Sequence, residues 1–335
     1  MESASQSTTR LDHPEGCVSI EELGRGRRRI RVEDSTTFIS TSEWETAYPV
    51  DLITLILNVK GSSYLCDEIR REEDPNYVRL FLRYSLLGFV PEEQFQGARI
   101  LDFGSGSGAS TAILSGMFPS AHVVGVELLP EFIEIARARA EHYGLANVET
   151  LQSPDPERLP EAIGEFDFVN LGAVYEHLLP AERQRLIPRL WSLLRTGGVL
   201  FVNQLPHRYY IIEAHTTGLP LINFLPDRAA CLAARRFSKR IDSDATWPDL
   251  LRRGIRGGTE RSLVRDIRGS GGGDPQLLRP ERLGLSDHSD LWYAYSTRAR
   301  PHPVKRVMRT VFRAISKASG TSYAPGLSVA LRKVG

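Results

Sequence analysis

Short apolar runs alternate with helix-periodic stretches from residue 98 to residue 205. The runs at 98–102, 122–127, 166–171 and 199–203 are nearly continuous, as strands buried on both faces require, and a shorter one covers 147–152. Helical patterns separate them, beginning near 109 and covering 130–143 and 181–194. Pro130 falls in a first turn and Gly144 just past a last one. Strand and helix in strict alternation predict an α/β fold, doubly wound around a mostly parallel sheet. A last strand is predicted at 327–334.

The flanks divide the chain further. Residues 1–35 read as a flexible polar tail, with the run Arg25–Arg29 solvated or at an edge. Residues 36–97 read as a helical cap, with Leu52, Ile53, Leu55 and Ile56 on one apolar face and Val78, Leu80, Phe81, Tyr84 and Leu87 on another. The core is placed at 98–227 and a helical insert at 228–300, with Gly269–Gly273 as a flexible connector. Residues 301–335 combine the final strand with a basic amphipathic helix at 303–317, whose apolar face holds Val304, Val307, Met308, Val311, Phe312 and Ile315.

Composition narrows the picture in two ways. The 3 cysteines are too few and too widely spaced for a disulfide framework or a thiolate metal site. Residues 1–10 lack an apolar signal core, and no apolar run reaches the ~18–20 residues that span a bilayer, so a cytoplasmic location is expected. The net charge of +1 conceals an asymmetry: acids outnumber bases 32 to 20 up to Asp227, and bases outnumber acids 22 to 9 beyond it. The C-terminal third therefore carries a positive field suited to an anionic substrate or surface.

The densest chemistry lies at Asp102-Phe103-Gly104-Ser105-Gly106-Ser107-Gly108, where a buried strand runs into three alternating glycines ahead of a helix. Such a turn lets a nucleoside cofactor lie against bare main chain. Gly104-x-Gly106-x-x-Ala109 also satisfies a dinucleotide fingerprint, so two cofactor classes compete. A carboxylate just ahead of the loop repels pyrophosphate and suits a cationic amino or sulfonium group. Glu127, 21 residues after Gly106, ends the second strand, where an acid accepts bonds from ribose hydroxyls. The strand Phe166-Asp167-Phe168-Val169-Asn170 runs on into Glu176-His177-Leu178, and Leu193-Leu194-Arg195-Thr196-Gly197-Gly198 leads into the next strand.

Together these motifs resemble the class I S-adenosylmethionine-dependent methyltransferases, over roughly residues 80–205 and the last strand. The resemblance implies seven strands with the last antiparallel, and S-adenosyl-L-methionine as cofactor. It implies a methionine moiety held against Gly104, Ser105, Gly106 and Gly108 and contacted by Asp102 directly or through water. Glu127 would hold the ribose and Leu128 flank the adenine, and Asn170 belongs to the same set. Asp155 is the candidate for the adenine amino group, although Pro154 and Pro156 stand where the family tends to have Gly and Ala.

The implied reaction is in-line methyl transfer, with oxygen as the acceptor atom. Neither a Pro-Pro-aromatic segment after Asn170 nor a Pro-Cys loop is present. A hydroxyl acceptor benefits from a base. His215, with Glu213 to orient it, and His177 are the candidates, and His207 ranks below them. Asp67 or Glu68, in the acidic stretch 64–74, would face the acceptor's hydroxyls. No metal is expected, although Glu176, His177, Glu213 and His215 are residues that folding could bring together as ligands. The expected acceptor is a small molecule or saccharide, lipid-linked if 303–317 lies on an anionic membrane surface. The alternative for that helix is packing on the sheet with its charges in water. Nucleic acid is disfavoured by the acidic front two-thirds, and the oligomeric state is left open. A nicotinamide-dependent oxidoreductase and a non-catalytic S-adenosylmethionine-binding protein remain the alternatives.

Overall fold

The computed structural model describes residues 8–33, 41–155, 158–269, 273–298 and 300–334. Where a polar tail is expected, the chain folds. Strands β1 (Thr8–His13), β2 (Gly16–Gly24), β3 (Arg27–Glu33) and β4 (Glu43–Thr46) form an antiparallel sheet in that order. Val18, Ile20, Ile30 and Val32 point to one face and are buried against Leu52, Ile53 and Ile56. On the other face Arg29 meets Glu45 at 2.6 Å and Glu21 at 3.3 Å, and Arg31 meets Glu43 at 2.8 Å. The charges that make the segment look solvated are cross-strand partners. The arginine run supplies an inner strand, not an edge or a tail.

Three helices follow: α1 (Val50–Lys60), α2 (Ser62–Glu73) and α3 (Val78–Leu87). The core then alternates β5 (Arg99–Phe103), α4 (Ala109–Met117), β6 (His122–Glu127), α5 (Pro130–His142), β7 (Val148–Gln152), β8 (Phe166–Gly172), α6 (Pro180–Ser192) and β9 (Leu194–Pro206). A hairpin of β10 (Ile212–Glu213) and β11 (Leu219–Pro220) leads into α7 (Asp227–Phe237), α8 (Trp247–Arg252), α9 (Glu260–Arg268) and β12 (Gln276–Leu277). The chain closes with α10 (His288–Ser296), α11 (Pro303–Ser319) and β13 (Gly326–Arg332). Ser270–Gly272, the centre of the expected glycine connector, lies outside the described residues.

The main sheet runs β12-β13-β9-β8-β5-β6-β7. Strands β5 to β9 are mutually parallel, and β13 is antiparallel to both β9 and β12. Alternate residues feed two cores. Leu101, Val124, Val169 and Leu200 pack with Trp191 and Leu190 of α6, whereas Ile100, Val123, Phe168 and Phe201 pack with α3 and α4. Both faces are covered, which accounts for the continuous apolar runs. Gly197-Gly198, read from sequence as the lead into the strand at 199–203, is absorbed into β9 as an irregularity: Phe166 and Phe168 pair with Leu194 and Val199. From β5 the chain winds outward through β6 and β7, then crosses back to β8 on the other side. The carboxyl ends of β5 and β8 thus form the switch point where ligands bind in open α/β sheets. Among the described residues, no helix is long and apolar enough to cross a membrane.

Candidate functional site

The glycine turn stands at that switch point. The Gly104 and Ser105 amides donate to the Val126 carbonyl at 2.8 and 3.1 Å, tying the turn to β6. Gly104 has φ +69°, and a Cβ there would lie 2.5 Å from Val174 Cγ2, so glycine is needed for conformation and for space. At Gly108 an added Cβ would meet Ala136 Cβ at 2.6 Å, which lets the loop pack directly on α5. Glu127 joins loop to helix: it accepts from the Gly106 amide at 2.8 Å and from the Leu128 and Leu129 amides at 2.7 and 3.1 Å. Gly104, Ser105 and Gly106 line a cavity of about 480 Å³ together with Lys60, Arg71 and Ala173.

Asp102 does not face this cavity as expected. It is buried, and both its oxygens are used internally, by Ser110 and Thr111 hydroxyls at 2.7 and 2.8 Å and by Asn170 Nδ2 at 2.8 Å. Asn170 in turn accepts from Asn203 Nδ2 at 2.8 Å, so it also works beneath the loop. Burial pushes the Asp102 carboxyl up, against three donors that favour its charged form. Three internal hydrogen bonds thus fix the carboxylate beneath the loop. Leu128, just past the end of β6, is part-exposed. Asp155 is turned to Arg158, whose amide donates to it at 2.9 Å.

The cap residues Lys60 and Arg71 were not singled out from the sequence, because they reach the loop from helices some 35 to 45 positions upstream. Lys60 lies over the Phe132 ring at 3.6 Å, and burial lowers its pKa. Glu68, expected to face an acceptor, is buried. It accepts from Arg139 Nη1 at 3.1 Å and from the Ser107 hydroxyl. Burial alone would raise its carboxyl, but Arg139, Lys60 and Arg71 outweigh that and hold it at about 2. Arg139, fully buried, also donates to the Ser107 carbonyl at 2.9 Å and lies 3.2 Å from Glu72. The cap is thereby fastened to the glycine loop.

Beyond β8 the chain passes from Ala173 into a tight turn at Tyr175–His177. Here Glu176, His177 and His215 each bring one ligand atom within 4.8 Å of the others. The Glu176 side chain is buried and neither oxygen has a hydrogen-bond partner; burial pushes its carboxyl up to about 7. His177 Nδ1 lies 2.6 Å from the Arg252 carbonyl, to which it donates. Burial, then His177, lowers the His215 pKa, and the two rings are 5.3 Å apart. Of the four residues named from sequence as possible ligands, Glu176, His177 and His215 come together, and Glu213 is not among them.

Two expectations are corrected here. Glu213 does not orient His215: its carboxylate accepts from the Thr216 and Thr217 amides at 2.8 and 2.6 Å and from the Thr217 hydroxyl at 2.7 Å, and so holds the β10–β11 turn. His207 is buried with both nitrogens occupied, by the Ser322 carbonyl at 3.1 Å and the Tyr209 amide at 3.1 Å. A second cavity, of about 310 Å³, adjoins His215 and is lined by Gln204, Tyr210 and Trp292 among others.

A seven-stranded sheet in this order, a glycine loop at its switch point over a buried acid, and a second acid after β6 define a Rossmann-like methyltransferase domain. Residues 100–198 match the methyltransferase domain family. Over 123 residues the chain is 39% identical to trans-aconitate 2-methyltransferase of Methylobacterium radiotolerans, covering 36% of this chain and 42% of that one. It is 34% identical over 108 residues to demethylmenaquinone methyltransferase of Thermus thermophilus, covering 32% and 47% respectively. The S-adenosylmethionine-dependent methyltransferase SibL, solved in its apo form, aligns over 84% of this chain and 62% of its own, with 14% identity and a TM-score of 0.45. The chain spans less than half the length of the two curated relatives named here. What the match identifies in this chain is a methyltransferase domain at residues 100–198.

Proposed function

We propose that the chain transfers a methyl group from S-adenosylmethionine to a hydroxyl oxygen of a small molecule or saccharide. The observation that carries this reading is continuity. Ala173 lines the loop cavity, and three and four residues further along the same chain stand Glu176 and His177, beside His215. Support comes from the cavity lining: Lys60 and Arg71 offer cations for an α-carboxylate and the glycine backbone offers a bare surface, while Glu127, bonded to the Gly106 amide, would receive the ribose hydroxyls. S-adenosylmethionine supplies a methyl group on a sulfonium whose leaving group is neutral. The protein's task is then to hold the acceptor oxygen in line, worth up to about 7–11 kcal/mol. The hydroxyl proton leaves toward the Glu176–His177–His215 cluster, which takes the place of the single oriented histidine expected from sequence. A relative named for trans-aconitate supports a small acceptor.

Binding is tested by thermal melting: S-adenosylhomocysteine raises the melting temperature and nicotinamide cofactors leave it unchanged. The reverse would make the chain an oxidoreductase. Turnover is tested by incubating the protein with cell extract and labelled methyl donor. An oxygen-methylated product supports the reading, and cofactor binding without any labelled product supports a non-catalytic protein.

We also propose that α11 meets an anionic membrane surface. Val304, Val307 and Val311, spaced for one helix face, are exposed, and Phe312 is the buried residue of this helix. Arg306 and Lys317 of the same helix are exposed, so the complementary surface is anionic.

A further inference from the structure

We infer that Glu176, His177 and His215 form a binding site for a divalent cation. Their ligand atoms lie within 4.8 Å of one another. Ligands around one ion at about 2.0–2.2 Å stand roughly 3–4 Å apart, so small side-chain shifts close the set. Both Glu176 oxygens are buried without a hydrogen bond. An uncompensated buried carboxylate is costly, and a cation is the partner that removes the cost. His177 donates Nδ1–H to the Arg252 carbonyl at 2.6 Å, which leaves Nε2 with its lone pair free, 4.0 Å from Glu176 Oε1. A ligating imidazole is oriented by a bond of this kind from its other nitrogen.

The scaffold around the three is stiff. Arg183 donates to the Glu176 and Leu178 carbonyls at 3.1 and 2.9 Å, which pins the turn. Arg252, whose carbonyl holds His177, grips Glu182 of α6 through its guanidinium, Nη1 at 2.6 Å. Gly254, at φ +90°, passes so close that an added Cβ would lie 2.7 Å from His215 Cδ2 and 3.2 Å from Glu176 Cγ. Two imidazoles and one carboxylate suit zinc, manganese, cobalt or iron(II) better than the all-oxygen ions magnesium and calcium. Three protein ligands leave positions open, and these face outward, because His177 and His215 are accessible while Glu176 is not. That an acceptor oxygen occupies an open position rests on the methyl-transfer reading, and there the ion would take over from the cluster by acidifying the hydroxyl, whose proton would pass to water; cation binding does not rest on that reading.

The test uses the full chain without an affinity tag, stripped with chelator and titrated with Mn²⁺, Zn²⁺ and Co²⁺ by calorimetry and, for Co²⁺, by visible absorption. One ion per chain is expected, with Co²⁺ bands showing nitrogen ligation. Glu176→Gln, His177→Asn and His215→Asn should each weaken binding at least tenfold while leaving S-adenosylhomocysteine affinity unchanged. His177→Asn, on a half-exposed ring, keeps the test open if Glu176→Gln fails to fold. No stoichiometric binding, or binding that all three variants leave unaltered, overturns the inference. S-adenosylhomocysteine affinity of the stripped protein, measured alongside, reports on the cofactor reading separately.

Discussion

At the scale of single residues, Asp102 shows what a motif conveys and what it conceals. Its position before the glycines is visible in sequence, but its direction is not. Ser110 and Thr111, 8 and 9 positions on, and Asn170, 68 positions on, claim both oxygens. Selection of a cationic ligand by the field of this carboxylate is the proposal that a charge-removing substitution tests. Asp102→Asn keeps much of the hydrogen bonding and removes the charge. It should weaken S-adenosylmethionine, a sulfonium, about tenfold more than the neutral-sulfur S-adenosylhomocysteine. Equal losses by calorimetry would reduce Asp102 to scaffolding. Gly104→Ala forces a left-handed backbone and a contact with Val174, a strain of about 1–3 kcal/mol. A fall in both stability and S-adenosylhomocysteine affinity is expected, and an unaltered melting curve would show that the loop yields. Glu213 was misread because a two-residue spacing from His215 looks like partnership, whereas the β10–β11 turn uses its carboxylate to cap Thr216 and Thr217.

At the scale of elements, the strands of the main sheet were legible because burial on both faces writes unbroken apolar runs. The N-terminal sheet was not, because its outward face is built from opposite charges whose pairing is visible only across strands. The cap it supports is fastened by Arg139 between Glu68 and Glu72. Arg139→Met strands two carboxylates in the interior and should cost about 3–5 kcal/mol in denaturant unfolding. A loss below about 1 kcal/mol would show that the network is not needed to hold the cap. Glu68, held at about 2, contributes stability above the ordinary glutamate range near 4.5. That contribution is lost as pH falls toward 2, and Glu68→Gln should remove this part of the acid slope. For α11, Phe312 and Met308 pack into the core while Val304, Val307 and Val311 remain exposed. Flotation with anionic vesicles should recover the protein, and Val304/Val307/Val311→Ser should abolish recovery; equal recovery would remove the membrane reading.

At the scale of the whole molecule, the site is assembled from segments far apart in the chain. Lys60 and Arg71 come from the cap, the glycines and Glu127 from the core, and His215 from the hairpin beyond β9. Local periodicity reveals the core and its loop. It does not reveal which distant cations approach that loop, nor that Glu176 ends without a partner beside two imidazoles. The account stands on one ligand in one place. Calorimetry followed by structure determination with S-adenosylhomocysteine should show one molecule per chain, its sulfur end against Gly104–Gly106 and its ribose at Glu127. No heat of binding, or a dinucleotide pyrophosphate seated on that loop instead, would contradict it.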